Sequence, residues 1–187
     1  MLLSLHPRFA TAILSGAKTV ELRRQRVAVA PGTPVVIYAT SPVMALLGTA
    51  RITAVDTATP AQVWNRHRKA CGITRAEYRA YMDGASQASA LLLDSPRPLA
   101  QAVPLSHLRR TGTFHPPQSY RYLDTDALQH LVAGHEAADE LLTRVSALQQ
   151  PARGRSTTST RPTRTVSAPH SGSSMRSGTL LTTVPAP

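Results

Sequence analysis

The sequence has one cysteine and no long apolar run, and these shortages exclude an internal disulfide and a transmembrane helix. A single cysteine, Cys71, excludes an internal disulfide and indicates a reduced, intracellular setting. No run approaches the ~20 apolar residues that a transmembrane helix needs. The opening MLLSLHPRF has too short an apolar stretch, with no basic residues before it, for a signal peptide. No Cys or His pair has the spacing of a zinc site. We therefore expect a cytoplasmic protein with no membrane segment, metal or cofactor.

Acidic residues are also scarce, and none occurs at the C-terminal end of the sequence. The 187 residues include ten acidic side chains against 21 Lys and Arg, a formal net charge of +11, and no acid follows residue 150. This basic excess favours a phosphate-bearing partner such as RNA or DNA, whose binding would depend on salt. Arginine enrichment can also reflect genome composition, so charge alone identifies no partner.

Composition divides the chain into three parts. Residues 151–187 are rich in Ser, Thr, Pro and Arg and lack periodicity, so we expect them to be disordered. They are either a dispensable tail or a basic arm that adds affinity for nucleic acid. The preceding part is long enough to bury a stable core. Within it we expect one domain over 1–105, then a loop and a C-terminal helix over 106–150 that pack on it.

The part before residue 151 is predicted to mix helices and strands. Apolar runs and alternation predict strands, and capping residues predict helix starts. The predicted strands cover residues 2–5, 19–27, 35–39, 44–55, 88–93 and an edge strand 101–103. The predicted helices begin at Pro7, after Thr59, after Thr74 and after Asp124, and the last runs to about Leu148. Helices that interrupt the strands irregularly argue against a doubly wound sheet. The predicted fold class is α+β, a small, partly open β-barrel of about five to six strands with flanking helices and a C-terminal helix.

Three charged residues near the start of the second predicted strand form the main candidate site. In LSGAKTVELRR, Glu21 and Arg23 lie two apart and share one strand face, while Val20 and Leu22 lie on the other. Lys18 precedes the strand, and its long stem can reach the same side. Such a cluster could hold a phosphate or a base edge, and a desolvated lysine could act as a base. It could equally be a solvated charged strand face.

The same stretch resembles a known family. Gly16, Lys18, Glu21 and Arg23 match the G-x-K-x-x-E-x-R signature of the ASCH domain, a member of the PUA-like superfamily. The resemblance extends over residues 2–105 and includes the strand–helix unit LSLHPRFATAIL, a PG turn, and the strands VVIYAT and LLGTARIT. It implies a PUA-like β-barrel with a cleft between the barrel and the first helix. It also implies binding of RNA or DNA.

Some members of that family are hydrolases, so the resemblance leaves catalysis open. One group removes the acyl group from N4-acetylcytidine, and another member is a ribonuclease. As a hydrolase of modified nucleosides or of RNA, the protein would use Lys18 as the base and Glu21 to activate a water. The resemblance to the amidohydrolases implies a match at Lys18 and a downstream acid that corresponds to Glu77. The threonine nucleophile of the amidohydrolases falls on Glu21, which cannot form the same acyl-enzyme. Glu77 also completes a capping box with Thr74.

The remaining candidates would complete a binding cleft for RNA or a modified nucleotide. Ser4 and Thr40 stand at strand ends and are expected to line it, and Tyr120 could stack on a base or pack on the core. In this interpretation Lys18 and Arg23 contact phosphate or carbonyl oxygens, and Glu21 accepts a hydrogen bond from an exocyclic amine.

Two further interpretations stay open at this point. The basic run 66–69 on the helix after Thr59 could contact phosphate or simply face solvent. A regulatory domain whose partner is another protein is a third possible function, and the sequence does not indicate an oligomeric state.

Overall fold

The computed structural model describes residues 1–110 and 112–149, which contain six strands and six helices. The predicted disorder of 151–187 lies outside these residues. The strands are β1 (Leu2–Leu5), β2 (Val20–Arg23), β3 (Pro34–Ala39), β4 (Ala45–Ala58), β5 (Ala88–Pro104) and β6 (Tyr120–Arg121). The helices are α1 (Pro7–Leu14), α2 (Pro60–His67), α3 (Arg75–Met82), α4 (Leu105–Leu108), α5 (Thr125–Val132) and α6 (Ala138–Gln149). No helix within the two described ranges is long and apolar enough to cross a membrane.

The strands form one curled sheet in the order β2-β5-β4-β3-β1-β6. The β1–β3 pair is parallel, and every other neighbouring pair is antiparallel. Because β2 and β6 lie at the two edges and do not pair with each other, the barrel is only partly closed. This confirms the predicted α+β fold with a partly open barrel, flanking helices and a C-terminal helix.

The two faces of the central strands carry separate hydrophobic clusters. Successive strand residues point to opposite faces, so Leu3 packs with Ile13 of α1 on one face. Its neighbour Leu2 packs with Leu141 of α6 on the other. All four side chains are at most 1% exposed. The sheet is therefore covered by α1 on one side and by the C-terminal helices on the other.

A third cluster attaches α2 and α3 to the β2 edge of the sheet. Val20 and Leu22 of β2 pack against Val63 of α2 and Tyr78 of α3. This burial uses one face of β2 only, so the alternation of the strand leaves Glu21 and Arg23 on the opposite face. The predicted split of this strand into an apolar and a charged face is confirmed.

Gly48 lies where three segments come too close for any side chain. A Cβ at this position would stand 2.4 Å from the carbonyl oxygen of Arg97 and 2.5 Å from Cδ2 of Leu14. The register between β4 and β5 shifts between Leu46 and Gly48. The glycine in this strand therefore marks a β-bulge and allows α1 to pack closely on the sheet.

The prediction of two separate strands at 88–93 and 101–103, the second at an edge, is wrong. The chain forms the single strand β5, which pairs with β4 through both Arg97 and Pro98 and on to Val103. On its other side β5 pairs with β2 only over residues 89–92. The prolines therefore lie beyond Val20, where β2 begins, and a missing N–H there removes no hydrogen bond to that neighbour.

β2 is shorter and β4 is longer than predicted, because pairing with β5 determines where each strand ends. β2 ends at Arg23, which pairs with Ser89 near the start of β5. β4 continues three residues beyond the predicted end, because Ala58 pairs with Ala88.

The C-terminal helix predicted to run from Asp124 to about Leu148 is two helices. The Asp124 side chain accepts a hydrogen bond from the Ala127 N–H, so the predicted cap is correct. The first helix stops at Val132, and Gly134 follows with a φ of +73°. A glycine in the left-handed conformation ends a helix readily. The apolar pattern continues on both sides of Gly134, so the pattern alone predicts one helix. No local pattern predicts α4 or the two-residue β6.

Candidate functional site

A cavity of ≈ 390 Å³ opens beside the charged face of β2. Its walls come from β1, α1, β2 and α3. The lining residues are Ser4, Leu5, His6, Arg8, Phe9, Lys18, Glu21, Leu22, Arg23, Thr40, Ile73, Glu77, Tyr81 and Gln118. The fold thus brings together side chains that are separated by more than a hundred positions in the sequence.

Lys18, Glu21 and Arg23 form a buried charged triad in this cavity. Lys18 Nζ lies 3.3 Å from Glu21 Oε2, and Arg23 Nη1 lies 3.1 Å from Glu21 Oε1. Lys18 is 2% exposed and Glu21 is 4% exposed. A solvated strand face would leave both in water, so the structure excludes that interpretation. Burial of charges is costly unless they are paired, and here each carboxylate oxygen faces its own cation.

Backbone groups hold the two cations in place. Lys18 Nζ donates a hydrogen bond to the carbonyl oxygen of Cys71, in the turn after α2. Arg23 Nη2 donates to the carbonyl oxygen of Ser4 at 3.2 Å. The backbone N–H of Lys18 donates to Ala12 O at 2.9 Å, which ties the start of the triad to the end of α1. The triad is therefore anchored to three separate segments of the chain.

The charges that line the cavity do not balance. Arg8, Lys18 and Arg23 are cationic, whereas Glu21 and Glu77 are the two carboxylates in the lining. Inside the cavity, two cations share the single Glu21 carboxylate. The site therefore carries one positive charge in excess and is suited to an anion.

Two buried polar atoms of the lining residues have no hydrogen-bond partner among the described residues. They are Ser4 Oγ and Arg23 Nε. Buried donors and acceptors are nearly always paired, because an unpaired one costs about 1–3 kcal/mol. A hydroxyl and a guanidinium N–H beside a cation-rich cavity are groups that a phosphate or a carbonyl oxygen can satisfy.

The mouth of the cavity is crossed by an ion pair between α1 and α3. Arg8 Nη2 lies 2.6 Å from Glu77 Oε1, and both side chains are partly exposed. The Arg8 guanidinium also lies 4.4 Å from the centre of the Phe9 ring, and Lys18 Nζ lies 5.1 Å from it. Tyr81, which is 39% exposed, adds a second aromatic surface to the lining. The entrance thus combines charge with aromatic rings.

Glu77 is held strongly ionised by its neighbours. Hydrogen bonds from the Thr74 backbone N–H, from Arg8 and from the Thr74 hydroxyl lower the pKa of Glu77 from 4.5 to about 2. The capping box that the T-x-x-E pattern predicts is present in full. A carboxyl with so low a pKa is poorly suited to carry a proton near neutral pH, so its position favours structural and electrostatic roles.

We expect Glu77→Gln to reduce the acid sensitivity of the fold. The folded-state pKa is depressed, so ionised Glu77 adds stability above pH 4.5 that is lost as the pH falls to about 2. Urea unfolding midpoints measured from about pH 7 to about pH 2 should show a gap between wild type and variant that closes in acid. Glu136→Gln, at an exposed carboxylate, is the control. A gap that stays constant with pH would contradict this assignment.

Of the residues singled out in the sequence, six line the cavity. These are Ser4, Lys18, Glu21, Arg23, Thr40 and Glu77. Tyr120 does not line it. It pairs with Leu3 in the sheet and packs against the cluster beneath α1, and its ring contacts that of Tyr122.

Several lining residues were missed by the sequence analysis. His6 and Arg8 lie at the start of α1. The cleft that the resemblance implies beside the first helix was the signal that could have identified them. Tyr81 and Gln118 carried no local signal, since only the tertiary fold brings them to the cavity. Among residues 1–110 and 112–149, no three His, Cys, Asp or Glu side chains gather as a metal-binding group.

Comparison with known proteins gives consistent matches. The ASCH domain family matches residues 3–95. An ASCH domain-containing ribonuclease from Zymomonas mobilis is 36% identical over 132 residues, which cover 70% of this chain and 88% of that protein. The crystal structure of ASCH from Zymomonas mobilis matches with a TM-score of 0.66 and 35% identity, over 71% of this chain and 93% of that one. A mutant of the same protein matches with a TM-score of 0.66 and 34% identity, over the same shares of both chains.

Three observations point to the same family: the curled sheet, the relatives above, and the signature formed by Gly16, Lys18, Glu21 and Arg23. The similarity covers most of the Zymomonas mobilis protein, in sequence and in structure alike. The chain therefore belongs to the ASCH domain family.

Proposed function

We propose that this protein binds single-stranded RNA and takes one nucleotide into the cavity beside Lys18, Glu21 and Arg23. The observation that carries this proposal is the excess positive charge of a buried site. Each nucleotide brings one phosphate charge, which would balance the cation that Glu21 leaves without a carboxylate of its own. A volume of ≈ 390 Å³ lies within the range of small-molecule sites and is suited to a single nucleotide.

In this proposal each lining group has a distinct task. Lys18 and Arg23 contact phosphate oxygens, and Ser4 Oγ and Arg23 Nε supply the hydrogen bonds that they do not make within the protein. Glu21 holds the two cations in position, with one carboxylate oxygen facing each. The exposed ring of Tyr81 offers a surface on which a base can stack, a contact worth about 1–3 kcal/mol.

RNA is preferred to DNA because the curated relative is named a ribonuclease. The geometry alone accepts a phosphate from either polymer, and the 2′-hydroxyl is the group by which a protein tells the two apart. The unpaired Ser4 hydroxyl is a possible partner for that group, since it can both donate and accept.

Cleavage of RNA is the second candidate function, and the arrangement of cations favours it. In such a reaction the 2′-oxygen attacks phosphorus, the bond to the 5′-oxygen breaks, and one proton moves from the first oxygen to the second. Lys18 and Arg23 would stabilise the negative charge that builds up on the phosphate oxygens. His6 lines the cavity, and its Nδ1 accepts a hydrogen bond from the Arg8 N–H at 3.3 Å. In the neutral ring this leaves the proton on Nε2, which can donate a hydrogen bond to a phosphate oxygen.

The test is a panel of ligands titrated against one preparation of the protein. Single-stranded RNA, single-stranded DNA of the same sequence, duplex RNA and N4-acetylcytidine are compared at one moderate salt concentration. We expect the tightest binding to single-stranded RNA, and slow appearance of shorter RNA if the second candidate is correct. Equal binding to the RNA and DNA strands would contradict RNA specificity. Turnover of N4-acetylcytidine without RNA binding would favour the amidohydrolase alternative.

A further inference from the structure

A second concave surface lies between α2 and α3, on the far side of α3 from the cavity. It encloses ≈ 580 Å³, and its lining includes Trp64, Asn65, Arg75, Tyr78 and Arg79. We call it the α2–α3 groove. The ring centres of Trp64 and Tyr78 are 4.9 Å apart, so the two rings form one aromatic floor. Tyr78 OH donates a hydrogen bond to Pro60 O at 2.7 Å, which fixes the two helices relative to each other.

The groove lies in a basic segment of the folded part. Residues 60–82 contain five Lys and Arg side chains but one acid, Glu77, which is paired with Arg8 on the cavity side. Within the described residues no carboxylate lies within 4.0 Å of the Arg75 or Arg79 guanidinium, and both residues are exposed. The one acid in the lining is Asp83. Its backbone oxygen accepts a hydrogen bond from Arg24, which adds another cation at that end.

Helix α3 separates the cavity from the groove and contributes to both. Glu77 and Tyr81 line the cavity, whereas Arg75, Tyr78 and Arg79 line the groove. A chain that leaves the cavity past Tyr81 therefore meets exposed arginines within the width of one helix. A helix with its side chains is about 10–12 Å across, roughly the reach of two nucleotides of an extended strand.

The composition of the groove fits a nucleic acid strand better than a protein partner. The large apolar side chains that are exposed in the described part of the chain are Val43, Met44, Tyr81 and Tyr122, and none of them lines the groove. A protein-docking surface would present such side chains at its centre. Unpaired arginines around an aromatic floor are instead the features that bind single strands.

We propose that the α2–α3 groove is a second binding site for single-stranded RNA, which holds the strand next to the nucleotide in the cavity. This inference depends on the proposed function. Arg75 and Arg79 contact successive phosphates, and a base lies against Trp64. The cavity then selects one nucleotide, while the groove supplies affinity that grows with strand length.

Trp64 makes the proposal directly measurable because it is the one tryptophan in the chain. We expect its fluorescence to be quenched by single-stranded RNA of about ten nucleotides, a length within the usual site size of single-strand binders. A mononucleotide fills the cavity alone and should leave the signal unchanged. Trp64 emission that stays constant at saturation with the longer strand would overturn the proposal.

The matched variants are Arg75→Ala/Arg79→Ala and the control Arg97→Ala/Arg110→Ala. Each removes two exposed arginines, and neither control residue lines the cavity or the groove. Loss of two phosphate contacts should lower the salt slope for a single strand by about 1.4. Between about 50 and 200 mM salt, wild-type affinity should therefore fall about sevenfold more than that of the groove variant. Mononucleotide affinity should be the same in both variants.

Three other outcomes separate the two proposals. If the groove variant keeps the wild-type salt slope and strand affinity, the groove proposal is wrong while the cavity proposal stands. If a Lys18 variant loses mononucleotide binding but the strand still quenches Trp64, both proposals are supported as separate sites. If no RNA of any length binds the wild-type protein, both are overturned.

Discussion

Replacing Glu21 with glutamine should destabilise the fold by about 3–5 kcal/mol, the cost of leaving buried charge uncompensated. The carboxylate is 4% exposed and is the counter-charge for both Lys18 and Arg23. An amide of the same shape retains the volume but supplies no charge, so two cations remain facing each other in a cavity. Chemical unfolding of wild type and variant at neutral pH measures the difference.

The matched control is Asp94→Asn, which makes the same change of carboxylate to amide beside an arginine. Arg51 holds Asp94 through bonds of 2.9 and 2.6 Å, but the Asp94 side chain is 38% exposed. Exposed pairs contribute about 0–1 kcal/mol, so the control should lose far less stability. An equal loss in the two variants would mean that the triad is no more desolvated than a surface pair.

Replacing Lys18 with methionine should cause a small loss of stability and a large loss of RNA affinity. Methionine keeps the apolar stem of the lysine, and Glu21 retains Arg23 as a partner. The Cys71 carbonyl loses its hydrogen bond, which costs about 1–2 kcal/mol. The cavity loses its excess charge, and removing a buried charged contact to the ligand weakens binding by about 2 kcal/mol or more, roughly 30-fold.

Lys69→Met is the control for this change, since the chain has no third lysine. Lys69 is exposed and does not line the cavity. RNA affinity at moderate salt and the unfolding free energy are measured for both variants. If Lys69→Met weakens binding as much as Lys18→Met, the effect is one of overall charge and the cavity assignment fails.

The parts of the site that could be predicted from the sequence are those that depend on local periodicity. Glu21 and Arg23 share a strand face because side chains alternate, and Gly16 ends the preceding helix with a φ of +80°. Thr74 and Glu77 lie three apart and form the predicted capping box. Each of these features can be predicted from a few neighbouring residues.

The remaining parts depend on contacts between distant segments. Lys18 reaches a carbonyl 53 positions away, and Arg8 pairs with a carboxylate 69 positions away. Neither spacing leaves a pattern in one sequence. The continuity of β5 through its prolines depends in the same way on where β2 begins. The triad is buried because α1 and α3 contribute walls to the cavity beside β2. Alternation along β2 alone cannot tell such a buried charged face from a solvated one.

The most direct test of the cavity assignment is the side-chain Nε–H resonance of Arg23, observed by NMR as RNA is added. This N–H is buried beside the cavity without a partner among the described residues. An Arg23→Lys spectrum assigns the signal, and the exposed Arg110 serves as an internal reference. The proposed function predicts that single-stranded RNA and a mononucleotide both shift the Arg23 signal and leave that of Arg110 in place. An unshifted Arg23 signal at RNA saturation would show that the nucleotide binds elsewhere.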